Sequence, residues 1–178
     1  MNGVRIFAVG EVADGVLAAL RTDLARALGV SCEILTTRFD PAFALHVERR
    51  QYSSSEILAR MQAFARPGDS SLLGVTSLDL YIPILTFVFG EAQIGGACAV
   101  VSYHRLRQEF YGLPADAALL RERLLKEAVH ELGHTMSLAH CNDYRCVMAP
   151  SHAVEWIDVK QATFCDPCRA RWPILRPA

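Results

Sequence analysis

Residues 130–140 read His-Glu-Leu-Gly-His-Thr-Met-Ser-Leu-Ala-His and combine three imidazoles with one carboxylate. His130 and His134 are four positions apart, so on a helix they lie one turn apart on the same face and can reach one metal ion. Glu131 lies about 100° around that helix, where its carboxylate can contact a metal-bound water. His140 lies beyond the expected end of the helix and can return as a third ligand. Three imidazoles leave one position of a tetrahedral zinc open, which is typical of a catalytic site.

The same histidines could instead be ordinary surface or core residues of an amphipathic helix. That interpretation usually applies to a lone histidine. Here Glu131 directly follows the first histidine and His140 completes the set, and this combination favours a zinc site.

Four cysteines follow in two close pairs, Cys141 with Cys146 and Cys165 with Cys168. Four thiolates fill all positions of a zinc ion, which would make this a closed, structural site. Two disulfides are a competing interpretation, but we see no signal peptide and the chain is not a small secreted domain. A redox Cys-x-x-Cys is a further alternative, although that motif usually opens a helix after a strand. We therefore expect a structural zinc.

The run His-Glu-x-x-His-x-x-Ser-x-x-His-Cys-x4-Cys-x-Met, followed by Cys-x-x-Cys, resembles the archaemetzincin family of metzincin metallopeptidases. The resemblance is dense over residues 130–168 and weaker at residues 79–81 and 87–92. It implies that three histidines hold a catalytic zinc, a glutamate is the general base, a methionine lies in a tight turn beneath the metal, and four cysteines hold a second zinc. Carried over by position, these residues are His130, His134 and His140, then Glu131, then Met148, and finally Cys141, Cys146, Cys165 and Cys168.

The chain departs from the family pattern at two places. Ser137 stands where the family has the glycine that ends the active-site helix and lets the chain turn toward the third ligand. If this position needs a left-handed backbone, serine costs about 1–2 kcal/mol, so the orientation of His140 depends on how the turn accommodates it. The segment between Met148 and Cys165 is one residue shorter than the family spacing, which we attribute to a loop of variable length.

His140 and Cys141 are neighbours in the chain, so if each binds a different metal, one peptide bond joins the two sites. The structural zinc would then hold the segment that supplies the third catalytic ligand. Met148 follows Cys146 by two residues, so the same clamp would fix the methionine turn. We interpret the second zinc as a staple for the floor of the catalytic site and not as a second reaction centre.

Composition limits the class of protein. The chain has 178 residues, of which 52% are hydrophobic, and a formal net charge of −1, so it can bury one core and has no excess charge for nucleic acid or an anionic membrane. No apolar run reaches the roughly 18 residues of a membrane span. We expect a cytoplasmic monomer that acts on a peptide or protein substrate, with Cys32 and Cys98 buried and reduced.

Strand and helix patterns alternate along the chain, which predicts an α/β fold of mixed α and β elements with a mostly parallel twisted sheet and a long active-site helix. The resemblance adds a metzincin-like zincin architecture with a C-terminal part stapled by zinc. We predict one metalloprotease domain, residues 1–178, with an upper part to about residue 136 and a lower part from about 137 to 178. The predicted strands are residues 4–9, 30–37, 72–77, 85–89 and 97–103, and the predicted helices are residues 12–28, Ser53 or Ser54 to about 65, Pro114 through the histidines, and a short helix near Cys165.

The active-site helix is predicted to be amphipathic. Its apolar side carries Leu124, Leu125, Ala128, Val129, Leu132 and Met136. The opposite side is predicted to face solvent and carries His130 and His134 with Arg123, Lys126 and Glu127.

Residues 84–91 are our candidate for the sheet edge above the cleft, where unpaired N–H and C=O groups would bind an extended peptide. Pro83 precedes the segment, and proline is tolerated at an edge. The alternative is an interior strand, because Leu85, Phe87 and Phe89 are large and apolar.

Together these motifs predict a zinc-dependent metallopeptidase, with two zinc ions per chain, in which Glu131 activates a zinc-bound water. One alternative is a catalytically silent zinc-binding interaction or scaffold domain. Another is a nucleic-acid-binding zinc module, which is disfavoured because the basic residues near the cysteines are few and are offset by acidic ones.

Overall fold

The computed structural model describes residues 3–37, 39–65 and 71–172, and both ends of the predicted domain, residues 1–2 and 173–178, lie outside this description. The strands are β1 (Gly3–Ala8), β2 (Ser31–Ile34), β3 (Leu45–His46), β4 (Gln51–Ser53), β5 (Ser71–Thr76), β6 (Leu80–Tyr81), β7 (Gly90–Ala92) and β8 (Cys98–Ser102). The α-helices are α1 (Asp14–Leu28), α2 (Ser54–Met61), α3 (Ala117–Thr135), α4 (Val154–Val159) and α5 (Asp166–Arg169). Short 3-10 turns lie at Ala42–Ala44, Gln62–Phe64 and Gln108–Tyr111.

The main sheet has five strands in the order β2-β1-β5-β8-β7. The first three pairs are parallel and only β7 runs antiparallel to its neighbour β8. Every residue of the central strand β5 is buried, as expected for a parallel strand that is covered on both faces. The mixed α and β class and the mostly parallel sheet are therefore confirmed.

Two apolar layers enclose this sheet. Helices α1 and α3 contact each other and cover one face, where they form a large core with alternate residues of β1, β5 and β8. Helix α2 covers the other face and forms a second core with Phe7, Leu72 and Val100. Helix α3 thus lies directly against the last strands of the sheet, β7 and β8.

Two local predictions were wrong. Residues 85–89 do not form a strand; only Val88 makes an isolated bridge to Leu80, and Phe87 and Phe89 pack edge to face with ring centroids 5.1 Å apart. Helix α3 begins at Ala117 and not near Pro114, because the carboxylate of Asp116 caps it by accepting the N–H of Leu119 at 2.9 Å.

A small three-stranded sheet, β3-β4-β6, and helix α4 were not predicted. The strands of this sheet are two or three residues long, too short for their side chains to show an alternating pattern. The other predicted elements overlap the observed ones. Gly29 ends α1 in the left-handed conformation, with φ 66°, and Ser53 caps α2 by accepting the N–H of Glu56.

The polar side of α3 is buried, which corrects the prediction that it faces solvent. Helix α4 and the residues that flank it fold across this side, so it lies inside the molecule. The buried polar residues on α3 include Arg123, Lys126, Glu127, His130 and Glu131. Within the described residues, no helix is both long enough and apolar enough to cross a lipid bilayer.

Candidate metal centres and active site

Helix α3 ends in a turn that aims the following chain back toward its own histidines. The N–H of Ser137 donates to His134 O at 2.9 Å and the N–H of Leu138 donates to Gly133 O at 3.1 Å, which is the hydrogen-bond pattern of a Schellman motif. Ser137 is left-handed, with φ 63°. The position therefore has the backbone that favours glycine, and the chain carries serine there.

The structure fixes the orientation of the first two imidazoles through their Nδ1 atoms. His130 Nδ1 lies 2.8 Å from Val147 O, and His134 Nδ1 lies 2.7 Å from Leu138 O. A carbonyl oxygen can only accept a hydrogen bond, so each Nδ1 carries the proton and each Nε2 of the neutral ring presents a lone pair. The two Nε2 atoms face each other at 3.1 Å, close to the edge of about 3.3 Å that tetrahedral zinc with arms of about 2.0–2.1 Å would span.

His140 completes the set from outside the helix. Its ring centroid lies 5.3 Å from that of His130 and 5.0 Å from that of His134. One nitrogen of each ring lies within 4.8 Å of the others, so a single cation can contact all three. Within the described residues, the structure brings together the three histidines that the sequence singled out.

Glu131 lies beneath the sheet edge, where a glycine leaves room for it. A Cβ atom on Gly90 would lie 2.7 Å from both Cγ and Oε1 of Glu131. No side chain other than hydrogen fits between β7 and α3 at this point. Gly90 therefore sets how closely the edge strand approaches the carboxylate.

Met148 lies directly under the active-site helix, against another glycine. A Cβ atom on Gly133 would overlap Sδ of Met148 and would lie 3.0 Å from its Cε. Met148 is fully buried. Glycine inside a helix costs about 1 kcal/mol relative to alanine, and here it allows the methionine to lie against the helix backbone beside His134.

The four cysteines form a second cluster next to the first. Their Sγ atoms lie within 4.8 Å of one another, and Cys141 Sγ and Cys165 Sγ are 3.7 Å apart. This separation is too long for a disulfide between these two residues, whose sulfurs would lie about 2.05 Å apart, and all four cysteines are free thiols in the structure. The distance matches the edge of about 3.8 Å of a tetrahedral zinc–sulfur site with arms of about 2.3 Å. Outside this cluster, Cys98 is buried and Cys32 is half-buried, both as thiols.

Three consecutive carbonyls of the methionine turn each hold a different partner. Val147 O accepts from His130 Nδ1 at 2.8 Å. Met148 O accepts from the N–H of Cys141 at 2.9 Å. Ala149 O accepts from the ammonium of Lys160 at 3.3 Å. The turn therefore connects the histidine cluster, the cysteine cluster and a buried cation through its backbone.

A groove of about 300 Å³ leads to these residues. Residues 85–90 form one wall, and Pro150, Ser151 and His152 form another; Glu127, His130, Glu131 and His140 line the rest. No lysine or arginine is among these lining residues. Strand β7 lies at the edge of the main sheet, so the predicted edge location was right, but the strand covers only the end of residues 84–91.

Burial shifts the pKa values of the groups that face this groove. Burial, followed by the charge of Lys160, holds the pKa of His130 well below 6.5, and burial also lowers the pKa of His134 and His140. The imidazoles therefore stay neutral, which is the form that binds metal. Burial, followed by the charge of Glu127, raises the pKa of Glu131 well above 4.5.

The thiols of the second cluster differ in pKa: hydrogen bonds, first from the backbone of Cys168, lower the pKa of Cys165 despite its desolvation, whereas two other thiols are held in their protonated form. Burial raises the pKa of Cys146 and, more strongly, that of Cys168. Metal binding at this cluster must displace protons.

Sequence reasoning missed Gly90, Gly133 and Lys160. Gly133 gave a signal, since a glycine inside a strong helical pattern marks a close approach of neighbouring atoms. Lys160 gave none, because one lysine in a short irregular segment has no spacing that relates it to the histidines. Gly90 lies far from Glu131 in sequence, and only the pairing of β7 with β8 brings the two together.

Several known proteins are similar to this chain in sequence and in fold. The sequence profile of peptidase family M54 matches residues 43–172. The archaemetzincin of Methanocaldococcus jannaschii is 41% identical over 160 residues, which cover 90% of this chain and 87% of that protein. The crystal structure of the archaemetzincin from Archaeoglobus fulgidus, complexed with malonate, matches with a TM-score of 0.82 at 37% identity and covers 95% of this chain and 99% of its own. A zinc-dependent peptidase from Methanocorpusculum labreanum matches with a TM-score of 0.84 at 31% identity, with the same two coverages.

Proposed function

The chain belongs to peptidase family M54, the archaemetzincins, and is a zinc metallopeptidase, and we propose that His130, His134 and His140 hold its catalytic zinc while Glu131 acts as the general base. The observation that carries the proposal is the pair of bare Nε2 atoms facing each other at 3.1 Å. Two lone pairs at that distance repel unless a cation or a proton lies between them. The third ring closes the same small volume.

Zinc held by these imidazoles supplies a Lewis acid that lowers the pKa of a water molecule and polarises the scissile carbonyl. Glu131 supplies the proton transfers. Its carboxylate takes a proton from the attacking water and later gives it to the leaving amine. Burial raises the pKa of Glu131, which makes it a stronger base than an exposed carboxylate. A zinc ion beside it would lower the pKa again. The two effects together favour a pKa between that of an exposed carboxylate and that of the metal-free site.

We propose that Cys141, Cys146, Cys165 and Cys168 hold a second, structural zinc. Four sulfur donors leave no position for water or substrate. Met148 O accepts from the backbone of Cys141 at 2.9 Å, which ties this cluster to the methionine turn. The second zinc would therefore hold His140 and the turn in place and would take no part in the reaction.

We propose that the substrate is an extended peptide that lies along the outer edge of β7. This strand ends the sheet, so its outer N–H and C=O groups are available to pair with another strand. The groove beside it carries no lysine or arginine. We further propose a cytoplasmic monomer, with residues 137–178 as the lower part of one domain, and no nucleic-acid partner; the net charge of −1 supports the last point.

The test combines metal analysis with one isosteric variant. We expect two zinc ions per chain and cleavage of a peptide library that stops when a chelator is added. Glu131→Gln keeps the shape of the side chain but cannot accept a proton, so we expect it to retain zinc and lose hydrolysis. The control is Glu122→Gln, an exposed glutamate on the same helix that pairs with Lys126, and it should cleave normally.

Full activity in a zinc-loaded Glu131→Gln protein would remove the assignment of the base. A zinc-loaded wild-type protein that cleaves no peptide would instead support the catalytically silent scaffold.

A further inference from the structure

Lys160 is a fully buried cation beneath the groove. Its side chain is 0% exposed, and its Nζ forms an ion pair with Glu127 Oε1 at 2.7 Å; the Glu127 side chain is 4% exposed. The same Nζ donates to Ala149 O at 3.3 Å. One ammonium therefore contacts both the active-site helix and the residue that follows Met148.

Stability alone gives no reason for this pair. Taking two opposite charges out of water costs several kcal/mol per ion, and well-packed apolar residues in their place often leave stability equal or higher. Glu127 lines the groove, and Lys160 lies behind it. The ion pair is therefore part of the surroundings of the proposed active site.

The two partners of Lys160 lie on different sides of the groove: Glu127 lines it, and Ala149 precedes one of its walls. Glu127 lies one helical turn before Glu131, so its position moves with the general base. Ala149 directly precedes Pro150, Ser151 and His152, which form the opposite wall. Contacts of 2.7 Å and 3.3 Å therefore link Glu127 through Lys160 to Ala149 and relate the position of the base to that wall.

A second ion pair on the same helix provides a comparison. Arg123 binds Asp158 through two hydrogen bonds of 2.7 Å and 2.6 Å. This pair also joins α3 to the end of α4, but neither residue lines the groove. The Arg123–Asp158 pair therefore joins the same two helices without contacting the groove.

We propose that Glu127 and Lys160 are positioning residues for the peptidase reaction: Lys160 holds the Ala149 carbonyl against the active-site helix and so fixes the wall formed by residues 150–152 relative to Glu131. The proposal rests on the proposed function of the site. It predicts that losing the pair impairs alignment of a peptide in the groove, while a ligand that touches only the metal is unaffected.

The test replaces both charges together, because removing one would leave the other buried and unpaired. Glu127→Gln with Lys160→Met keeps a polar group in the groove and fills the volume of the lysine. We expect this double variant to fold and to retain metal. We also expect its kcat/KM on a peptide substrate to fall about tenfold or more, which is the effect typical of replacing residues that orient the ligands of a metal site. A peptidyl hydroxamate should bind more weakly by a similar factor, whereas acetohydroxamate, which contacts little beyond the metal, should bind equally well.

The matched control is Arg123→Met with Asp158→Asn, which we expect to lower the melting temperature and leave kcat/KM unchanged. If the first double variant does not fold, Glu127→Gln alone takes its place. The amide oxygen still accepts from Lys160, so a smaller loss in kcat/KM and in peptidyl hydroxamate affinity is expected.

Wild-type kcat/KM and wild-type hydroxamate affinity in the Glu127 and Lys160 variant would overturn the proposal, as would an equal loss in the control. An inactive wild-type protein would refute the proposed function instead, so the two failures are distinguishable.

Discussion

His140 and Cys141 share one peptide bond and point into two different side-chain clusters, one of histidines and one of cysteines. The ring of His140 lies about 5 Å from those of the other two histidines, at 5.3 Å and 5.0 Å, and Cys141 Sγ lies 3.7 Å from Cys165 Sγ. His140 lies outside α3, between the turn at Ser137 and Cys141, whose N–H donates to Met148 O at 2.9 Å. Its position therefore depends on the residue that follows it as well as on the turn that precedes it.

Loss of the cysteine cluster should weaken the histidine cluster. We expect the double substitution Cys165→Ser and Cys168→Ser to lower the affinity for the catalytic zinc by about 10–100-fold, the effect of removing groups that orient a ligand from behind. Competition with a chelator measures this affinity. Cys32→Ser, at a half-buried thiol outside both clusters, is the control. Unchanged affinity for the catalytic zinc in the double variant would disprove the coupling.

A methyl group on Gly90 should displace Glu131, the proposed general base. Its carbon would lie 2.7 Å from two atoms of Glu131 and from Val100 O, so Glu131 must move. A shift of about 1 Å can cost about 100-fold in rate, and we expect Gly90→Ala to lower kcat by that order with zinc content unchanged. Gly15→Ala on α1 has no atom within 4 Å and should leave kcat unchanged. Equal kcat values for Gly90→Ala and the wild type would show that Glu131 tolerates the displacement.

Serine at the end of α3 should carry a measurable strain. Ser137 has φ 63°, a conformation that costs a side chain about 1–2 kcal/mol, whereas glycine loses about 0.5–1 kcal/mol more backbone entropy on folding. We therefore expect Ser137→Gly to raise the free energy of unfolding by about 0.5–1 kcal/mol. Ser137→Ala keeps the strain and should give little change. A destabilised Ser137→Gly protein would mean that the hydroxyl makes a contact worth more than the strain.

The stability of the metal-free protein should depend on pH through Glu131. Its folded-state pKa lies well above 4.5 because of burial and then Glu127. Below pH 4.5 both the folded and the unfolded chain hold the proton, so the carboxyl costs nothing. As the pH rises above 4.5 the unfolded chain releases the proton first, and folded stability falls.

Glu131→Gln removes this loss. In metal-free protein, the variant should therefore melt at a higher temperature than the wild type at pH 8, and the difference should shrink toward pH 4. Glu48→Gln, at an exposed carboxylate, should show no such trend. A difference that grows as the pH falls would contradict the direction of the shift.

The sequence predicted which histidines and which cysteines lie together, because the members of each group are close in the chain. His130 and His134 are set by the pitch of one helix, and the pairs of cysteines are set by two short turns. The backbone partners of the ligands could not be predicted. Val147 O and Leu138 O carry no side-chain signal, and only the folded chain brings Val147 O to His130.

The errors have physical causes in long-range packing. Phe87 and Phe89 alternate as residues of a strand would. In the structure their rings pack against each other, and residues 85–89 do not join the sheet. The polar face of α3 looks solvated in sequence, since periodicity shows which residues share a face and not what covers it. Helix α4 covers that face, and its residues Ile157 and Asp158 accept hydrogen bonds from Lys126 and Arg123.

The ligands lie in a fixed order along the chain, from His130 to Cys168. A nascent polypeptide that has released only α3 from the ribosome therefore holds two imidazoles and no completed floor beneath them. We expect such a chain to be inert, with hydrolytic activity appearing only after Cys168, the last of the proposed ligands, has emerged.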